Sequence, residues 1–251
     1  MSDPTSLLII PAAGLGSRLV YDGPKCLFEV AGKAMLGHVI ERHQTLVDEI
    51  AVVVSPQYKL VVGNWLEEQA LDNVKLFLQD SPTGMLDAIM CPAPAYEESG
   101  IYAVSICWCD QICISSATAE TLAEKLSEHN SIEMVFPTIE LRDPYIHMQR
   151  DRSGVITKVL HEREGDAMPA VGENDCGLFG LTGTAYFDHL NNYANKIKLG
   201  AGTGERNFLP FIPWLARRAE VETFVAQSAM EAVGVNTRED AAKIEQFWER
   251  E

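Results

Sequence analysis

The stretch Leu7-Leu8-Ile9-Ile10-Pro11-Ala12-Ala13-Gly14-Leu15-Gly16-Ser17-Arg18-Leu19, followed by Pro24-Lys25, fixes how the rest of the chain is read. Leu7 to Ile10 is a continuous apolar run, the pattern of a short strand buried on both faces of a parallel sheet. It empties into Gly14 and Gly16, where the backbone must bend sharply. Glycine there permits positive φ and leaves main-chain N–H groups open to an anion. Arg18 then offers a planar fork of donors, and Lys25, behind the stiff Pro24, offers a compact point charge, a pair suited to gripping a polyphosphate from two sides. The run is not the dinucleotide fingerprint, because Leu19 stands where the third glycine belongs. Nor is it the phosphate loop of ATPases, because Lys25 lacks both a preceding glycine and a following Ser or Thr.

Outward from that loop, Cys26 to Val30 reads as short and extended, Gly32 as a turn, and Met35 to Leu46 as a crossover helix with Met35, Leu36, Val39, Ile40 and Leu46 at helical spacing. Glu49 to Val54 is a second strand, Lys59 to Glu68 a helix, and Val74 to Leu78 a third strand. This β-α-β-α-β order predicts an α/β fold, a Rossmann-like, mostly parallel mixed sheet flanked by helices. A fourth strand, Ile101 to Trp108, delivers Asp110 at its carboxyl end, where open sheets of this kind bind ligands, and Ser115-Ser116 open a helix to about His129. Beyond Glu133 to Thr138 the composition shifts to short, more polar strands: Tyr145 to Arg150, Val155 to Leu160 and Gly177 to Leu181. An apolar helix to Leu215, a strand Val221 to Ala226 and a final helix capped by Thr237 and Asp240 complete the chain. Glu205-Arg206-Asn207-Phe208-Leu209 carries no assigned chemistry.

Residues 10 to 36, IPAAGLGSRLVYDGPKCLFEVAGKAML, resemble the signature of the sugar-phosphate nucleotidyltransferase family, in particular the N-acetylglucosamine-1-phosphate uridylyltransferase domain. The resemblance implies the nucleotidyltransferase fold, with a nucleoside triphosphate over Ala12, Ala13, Gly14 and Gly16 and with Arg18 and Lys25 as catalytic cations on its phosphates. It implies that Gln79, Thr83 and Gly84 read the base, although this chain has Thr-Gly where the family has Gly-Thr; read from the residues alone, Thr83 is equally an N-cap. It makes Asp110 and Asn236 the protein ligands of a catalytic Mg²⁺, with Cys109 in place of the family's glycine before the aspartate. On the acceptor side it points to Glu162, Asp175 and Gly177, with the register between His161 and Glu162 open.

On this reading residues 1–251 form one nucleotidyltransferase domain, with a nucleotide-binding half over 1–138 and an acceptor-binding half plus the C-terminal helix over 139–251. The reaction implied joins an NTP, UTP or CTP favoured, to a sugar 1-phosphate. A cytidylyltransferase for a phosphocholine-like acceptor and a catalytically silent nucleotide-sugar-binding subunit are the alternatives, and retention of Arg18, Lys25 and Asp110 favours the enzyme. The Asp-Ala-Ala-Arg-Pro segment of methylerythritol-phosphate cytidylyltransferases is absent, and with Asn236 so near the end no acyltransferase domain of the kind fused to some relatives is expected.

A net charge of −16 over 251 residues disfavours nucleic acid and anionic membrane as partners, since both would repel the chain. It leaves room for a nucleotide held by local donors and a divalent cation. No apolar run approaches the roughly 20 residues of a membrane span, and MSDPTS lacks the basic start of a signal peptide, so a cytoplasmic protein is expected. The cysteines at 26, 91, 107, 109, 113 and 176 form no Cys-x-x-Cys pair and read as reduced, mostly buried thiols rather than a metal site.

Overall fold

The structure is a computed structural model that describes residues 5–14, 19, 21–128 and 131–250. The first half comprises β1 (Ser6–Pro11), a small ribbon of β2 (Glu29–Val30) and β3 (Lys33–Ala34), α1 (Met35–His43), β4 (Glu49–Val54), α2 (Lys59–Glu68), β5 (Val74–Leu78), the short helices α3 (Met85–Met90) and α4 (Ala93–Tyr96), β6 (Ala103–Cys107) and α5 (Ser116–Ser127). There follow β7 (Ile132–Arg142), a separate hairpin of β8 (Ile146–Arg150) and β9 (Ile156–His161), then β10 (Val171–Asp175) and β11 (Leu178–Thr182). A π-helical segment, Thr184–Leu190, runs into α6 (Asn191–Ala194), and α7 (Phe211–Ala216), β12 (Glu220–Val225) and α8 (Arg238–Trp248) finish the chain.

One eight-stranded sheet spans both halves in the order β5-β4-β1-β6-β11-β7, with β10 continuing along β7 beyond β11 and β12 on the other side of β7. β5, β4, β1 and β6 are mutually parallel, while β11 runs antiparallel to β6 with Leu178 opposite Cys107. The apolar run that opened the sequence explains itself here. Leu8 and Ile10 enter one core layer with Leu36, Val39 and Ile40 of α1, Leu122 of α5 and Ile244 of α8. Leu7 and Ile9 enter the opposite layer with Leu86, Ile89, Tyr186 and Phe211. A strand covered by helices on both faces has no polar face to alternate with.

The β-α-β-α-β expectation is met, the capped final helix appears as read, and the fourth strand, expected over Ile101 to Trp108, forms over Ala103–Cys107. Four elements differ more. The helix expected to reach Leu46 stops at His43, and the strand expected over Glu133 to Thr138 runs from Ile132 to Arg142. β10 and the helical stretch 184–194 were not foreseen. β10 is hidden because what it buries is polar: Arg150 grips Glu173 with two nitrogens at 2.6 and 2.7 Å, and Thr138 Oγ1 donates to the same carboxylate at 2.9 Å. Gly172 lets β8 approach, since a Cβ there would meet His147 Nδ1 at 2.5 Å. Of the cysteines, all six are unbridged and five are buried, with burial pushing the Cys26 thiol up to about 12. Among the described residues no helix is long and apolar enough to cross a membrane.

Candidate active site

The parallel strands β1, β5 and β6 all end on one edge of the sheet, so the segments after them are neighbours by topology. After β1 the chain is tied down by the Ala12 N–H, which donates to Val53 O at 2.7 Å, and Ala12 and Ala13 are buried. Gly14 is exposed, and a Cβ on it would meet nothing within 4 Å. The positive φ expected of Gly14 is not found; its backbone lies outside the left-handed region, and what glycine provides at that position is open approach rather than an unusual turn. Gly16 and Arg18 lie outside the described residues.

Lys25, Asp110 and Asn236 meet. Lys25 Nζ donates to Asp110 Oδ2 at 2.6 Å and to Asn236 Oδ1 at 3.0 Å, across sequence separations of 85 and 211 residues. Each partner is held by its own backbone. Lys25 opens a single 3₁₀ turn, Lys25–Leu27, closed by Leu27 N donating to Pro24 O and Phe28 N to Lys25 O, with Cys26 fully buried as its anchor. Asp110 sits in the turn that leaves β6, where the Gln111 N–H donates to Trp108 O and the Val235 N–H to Asp110 O. Asn236 precedes the capping box of α8, and Asp240 Oδ2 accepts the backbone N–H of both Asn236 and Thr237, at 3.1 and 2.9 Å. The Asn236 Nδ2 group donates to Gly234 O, which leaves Oδ1 to face the ammonium. A Cβ on Gly234 would lie 3.3 Å from Gln111 Nε2, close enough that the amide must give by a few tenths of an ångström, and 3.4 Å from Asp110 Cγ and Asn236 Nδ2.

The two oxygens thus already converge on one cation-sized position, occupied by the Lys25 ammonium. One carboxylate and one amide oxygen suit Mg²⁺, which commonly takes one or two protein ligands and completes its shell with substrate phosphates and water. No group of three or more His, Cys, Asp or Glu side chains able to hold a metal occurs among the described residues.

The expected base-reading residues are built differently. Gln79, at the end of β5, is buried, and its Nε2 donates to Gly84 O at 3.0 Å, bracing the turn that enters α3. Thr83 is not the N-cap; its hydroxyl donates to Ser81 O, and Gly84 itself occupies the cap position with φ 126°. A Cβ on Gly84 would lie 2.6 Å from both N and O of Arg206, so the glycine exists to let residues 205–206 pass. The Arg206 N–H donates to Thr83 O and the Leu86 N–H to Arg206 O, while the Arg206 guanidinium pairs with Asp87. The segment left without assigned chemistry is therefore the scaffold of the 83–86 turn. Its signal was faint: a polar triplet ahead of an apolar helix.

On the acceptor side, Asp175 and Gly177 join β10 to β11 against the Asp110 turn. Gly177 has φ 66°, accepts the Trp108 N–H at 2.9 Å, and would place a Cβ 2.4 Å from Trp108 and 2.5 Å from Gln111. Asp175 is 5% exposed; Oδ1 accepts the Gly177 N–H at 2.8 Å and Oδ2 has no partner. Burial pushes its carboxyl up to about 6, against the downward pull of the Gly177 N–H. Gln111 Oε1 on the neighbouring turn is likewise buried and unpartnered. Glu162 is exposed, opening a 3₁₀ turn after β9, whereas the half-buried His161 packs edge-on against Tyr145 with ring centroids 5.2 Å apart.

The engaged carboxylate is one that sequence reasoning missed. Glu164 accepts from Thr203 Oγ1 at 2.6 Å and from Gly202 N and Asn207 Nδ2, both at 2.7 Å, and these donors, the Thr203 hydroxyl first, draw its carboxyl down to about 2. The 200–207 segment is thereby fixed to the turn after β9 by Glu164 and to the 83–86 turn by Arg206. A cavity of about 340 Å³ lies beside it, between β9 and α7, lined among others by Lys158, His161, Leu209, Pro213 and Arg217.

Residues 8–173 match the model of the MobA-like NTP transferase domain. The bifunctional protein GlmU of Aquifex aeolicus (strain VF5) is 30% identical over 251 aligned residues, covering 94% of this chain and 52% of that protein. GlmU of Pseudomonas putida (strain KT2440) is 29% identical, covering 96% of this chain and 51% of that one. The chain spans about half the length of these curated relatives. Among solved structures, HddC from Yersinia pseudotuberculosis superposes with a TM-score of 0.68 over 97% of this chain and 99% of that one at 17% identity. A form of HddC complexed with GMP-PN gives the same TM-score at 18% identity, and at such identities the likeness is one of fold. With two thirds of its length matched by the family model, and with GlmU at about 30% identity over nearly all of it, this nucleotidyltransferase chain belongs to the MobA-like NTP transferase domain family.

Proposed function

We propose that the chain joins a nucleoside triphosphate, UTP or CTP favoured, to a sugar 1-phosphate, releasing pyrophosphate. The observation that carries this reading is the meeting of Lys25, Asp110 and Asn236 on one ammonium position at the ligand-binding edge of the sheet. An acceptor phosphate oxygen attacks the α-phosphorus in line; the new O–P bond forms as the bond to the β-phosphate oxygen breaks, and the electron pair leaves with pyrophosphate. The protein's share is positioning and charge neutralisation, with no covalent intermediate. Lys25 neutralises the α-phosphate and Arg18 the leaving pyrophosphate, over backbone N–H groups of the Gly14–Gly16 loop. Asp110 and Asn236 hold Mg²⁺, which when bound neutralises phosphate oxygens. In this reading Gln79, Thr83 and Gly84 bound the base pocket, and Glu162, Asp175 and Gly177 the acceptor pocket. Residues 1–138 and 139–251 act as nucleotide and acceptor halves of one domain working in the cytoplasm.

The test is pyrophosphate release over a panel of NTPs and phosphorylated acceptors, with Mg²⁺ and with EDTA. Release with UTP or CTP and a hexose 1-phosphate, abolished by EDTA, is the expected result. Release only with phosphocholine-like acceptors moves the reading to the cytidylyltransferase alternative, and binding without turnover to a silent regulatory subunit.

A further inference from the structure

We infer that Lys25 serves as a built-in counter-cation: in the substrate-free protein its ammonium stands where a divalent ion is held by Asp110 and Asn236, so that ion and lysine exclude each other there. The inference rests on the proposed function, because it takes those two oxygens as the metal ligands. Lys25 Nζ lies 2.6 Å from Asp110 Oδ2 and 3.0 Å from Asn236 Oδ1. A divalent ion bound at about 2.1 Å from the same oxygens would press against the ammonium, and one carboxylate has a single charge to share between the two cations.

The frame that carries the two oxygens is tied down. Asn236 is fixed by Nδ2 on Gly234 O and by its N–H on Asp240, and the Asp110 backbone is tied to Val235. The Gly234 backbone passes close to both, since a Cβ on it would lie 3.4 Å from Asp110 Cγ and from Asn236 Nδ2. Lysine is the movable partner: it reaches the site on a flexible four-carbon stem, with donors that any phosphate oxygen can accept. A triphosphate arriving over the Gly14 loop draws the ammonium off the carboxylate and thereby opens the cation position. Nucleotide and divalent ion therefore favour each other's binding, and by reciprocity each does so by the same factor. The ion alone meets a site that is already neutralised.

Mn²⁺ binding in the absence of nucleotide, followed by electron paramagnetic resonance, tests this. The proteins compared are wild type, Lys25→Met, Lys33→Met and the double variant Lys25→Met/Asp110→Asn. Lys25→Met is expected to bind Mn²⁺ at least about tenfold more tightly than wild type and to gain more in melting temperature from added Mn²⁺. Lys33→Met removes the same charge from an exposed pair with Glu41 and is expected to bind as wild type does. Equal affinity in wild type and Lys25→Met, or equal tightening in Lys33→Met, overturns the inference. If the double variant keeps the affinity of Lys25→Met, the ion sits elsewhere, and the metal placement in the proposed function falls instead. Circular dichroism confirms the fold of each protein, and Lys25→Gln repeats the comparison should Lys25→Met not fold.

Discussion

Asp110 and Asp175 border the same turn yet live in opposite circumstances. Asp110 leaves β6 with its side chain 19% exposed and an ammonium at 2.6 Å. Asp175, at the junction of β10 and β11, is buried, with one oxygen on a neutral N–H and the other on nothing. The first has its counter-charge on hand, so its negative charge is available to organise chemistry. The second has none, and the low-dielectric surroundings favour its protonated form. The same residue type is thus a charge source in one place and, a few residues away in space, a group for which charge is a liability. Partner and burial, not identity, set the role.

The largest effect that would break this contrast is at Asp110. Asp110→Asn keeps the shape and removes the charge, and pyrophosphate release is expected to fall ~10²–10³-fold, the usual cost of losing one charge partner in the transition state. Its fold should survive, as judged by circular dichroism, because asparagine keeps an oxygen for the Lys25 ammonium. Near-wild-type turnover would mean that Asp110 is no more a charge source than Asp175.

Asp175→Asn should act on stability instead, and with a definite pH signature. Its native value of about 6 stands above the ordinary 3.8, so between pH 4 and 6 the native state holds more protons than the unfolded one. Wild-type stability therefore falls as pH rises through that window and stays lower above it. Asparagine has no such slope. At pH 7 the variant should be favoured over wild type, relative to their difference below pH 4, by on the order of 3 kcal/mol. Urea denaturation at the two pH values measures this, and parallel behaviour of the two proteins would show that Asp175 carries no buried-acid penalty.

Glu164 sharpens the comparison as a third case, a carboxylate satisfied wholly by neutral donors. Its depressed value means that its contribution is present above the ordinary carboxylate range and fades as pH falls toward 2. Glu164→Gln should cost less than about 1 kcal/mol, since an amide keeps part of the bonding and the site is open to water. Hydrogen exchange confined to faster rates over residues 200–207 is the expected readout; unchanged protection there would show that Glu164 does not hold the segment.

How much of this was legible depended on what each residue buries. β4, α2 and β5 appear at the bounds read from the sequence, β4 because an apolar run buried throughout leaves an unbroken signature. The family resemblance carried by residues 10 to 36 is borne out by the family match and by GlmU. Asp110 and Asn236 were singled out by the family resemblance, one after a strand and one before a capped helix, and the structure brings both to Lys25. β10 and Glu164 were not legible, because their partners are hydrogen-bond donors contributed by distant segments, which leave no period in the chain. Gly84 and Gly177 were read as ligand contacts, but the structure gives each a mechanical reason: a neighbouring backbone or side chain fills the space of a Cβ.

The capping box of α8 has a consequence for the order in which the molecule comes into being. Asp240 fixes the backbone of Asn236, and Asn236 is 211 residues downstream of Lys25. Chains emerge amino-terminus first and fold as they do. A growing polypeptide can therefore form its glycine loop, its parallel strands and the Lys25–Asp110 pair while the third member of the constellation is still being synthesised. Copies that stop short of α8 hold an incomplete grip on the cation, and the full grip arrives only with that helix.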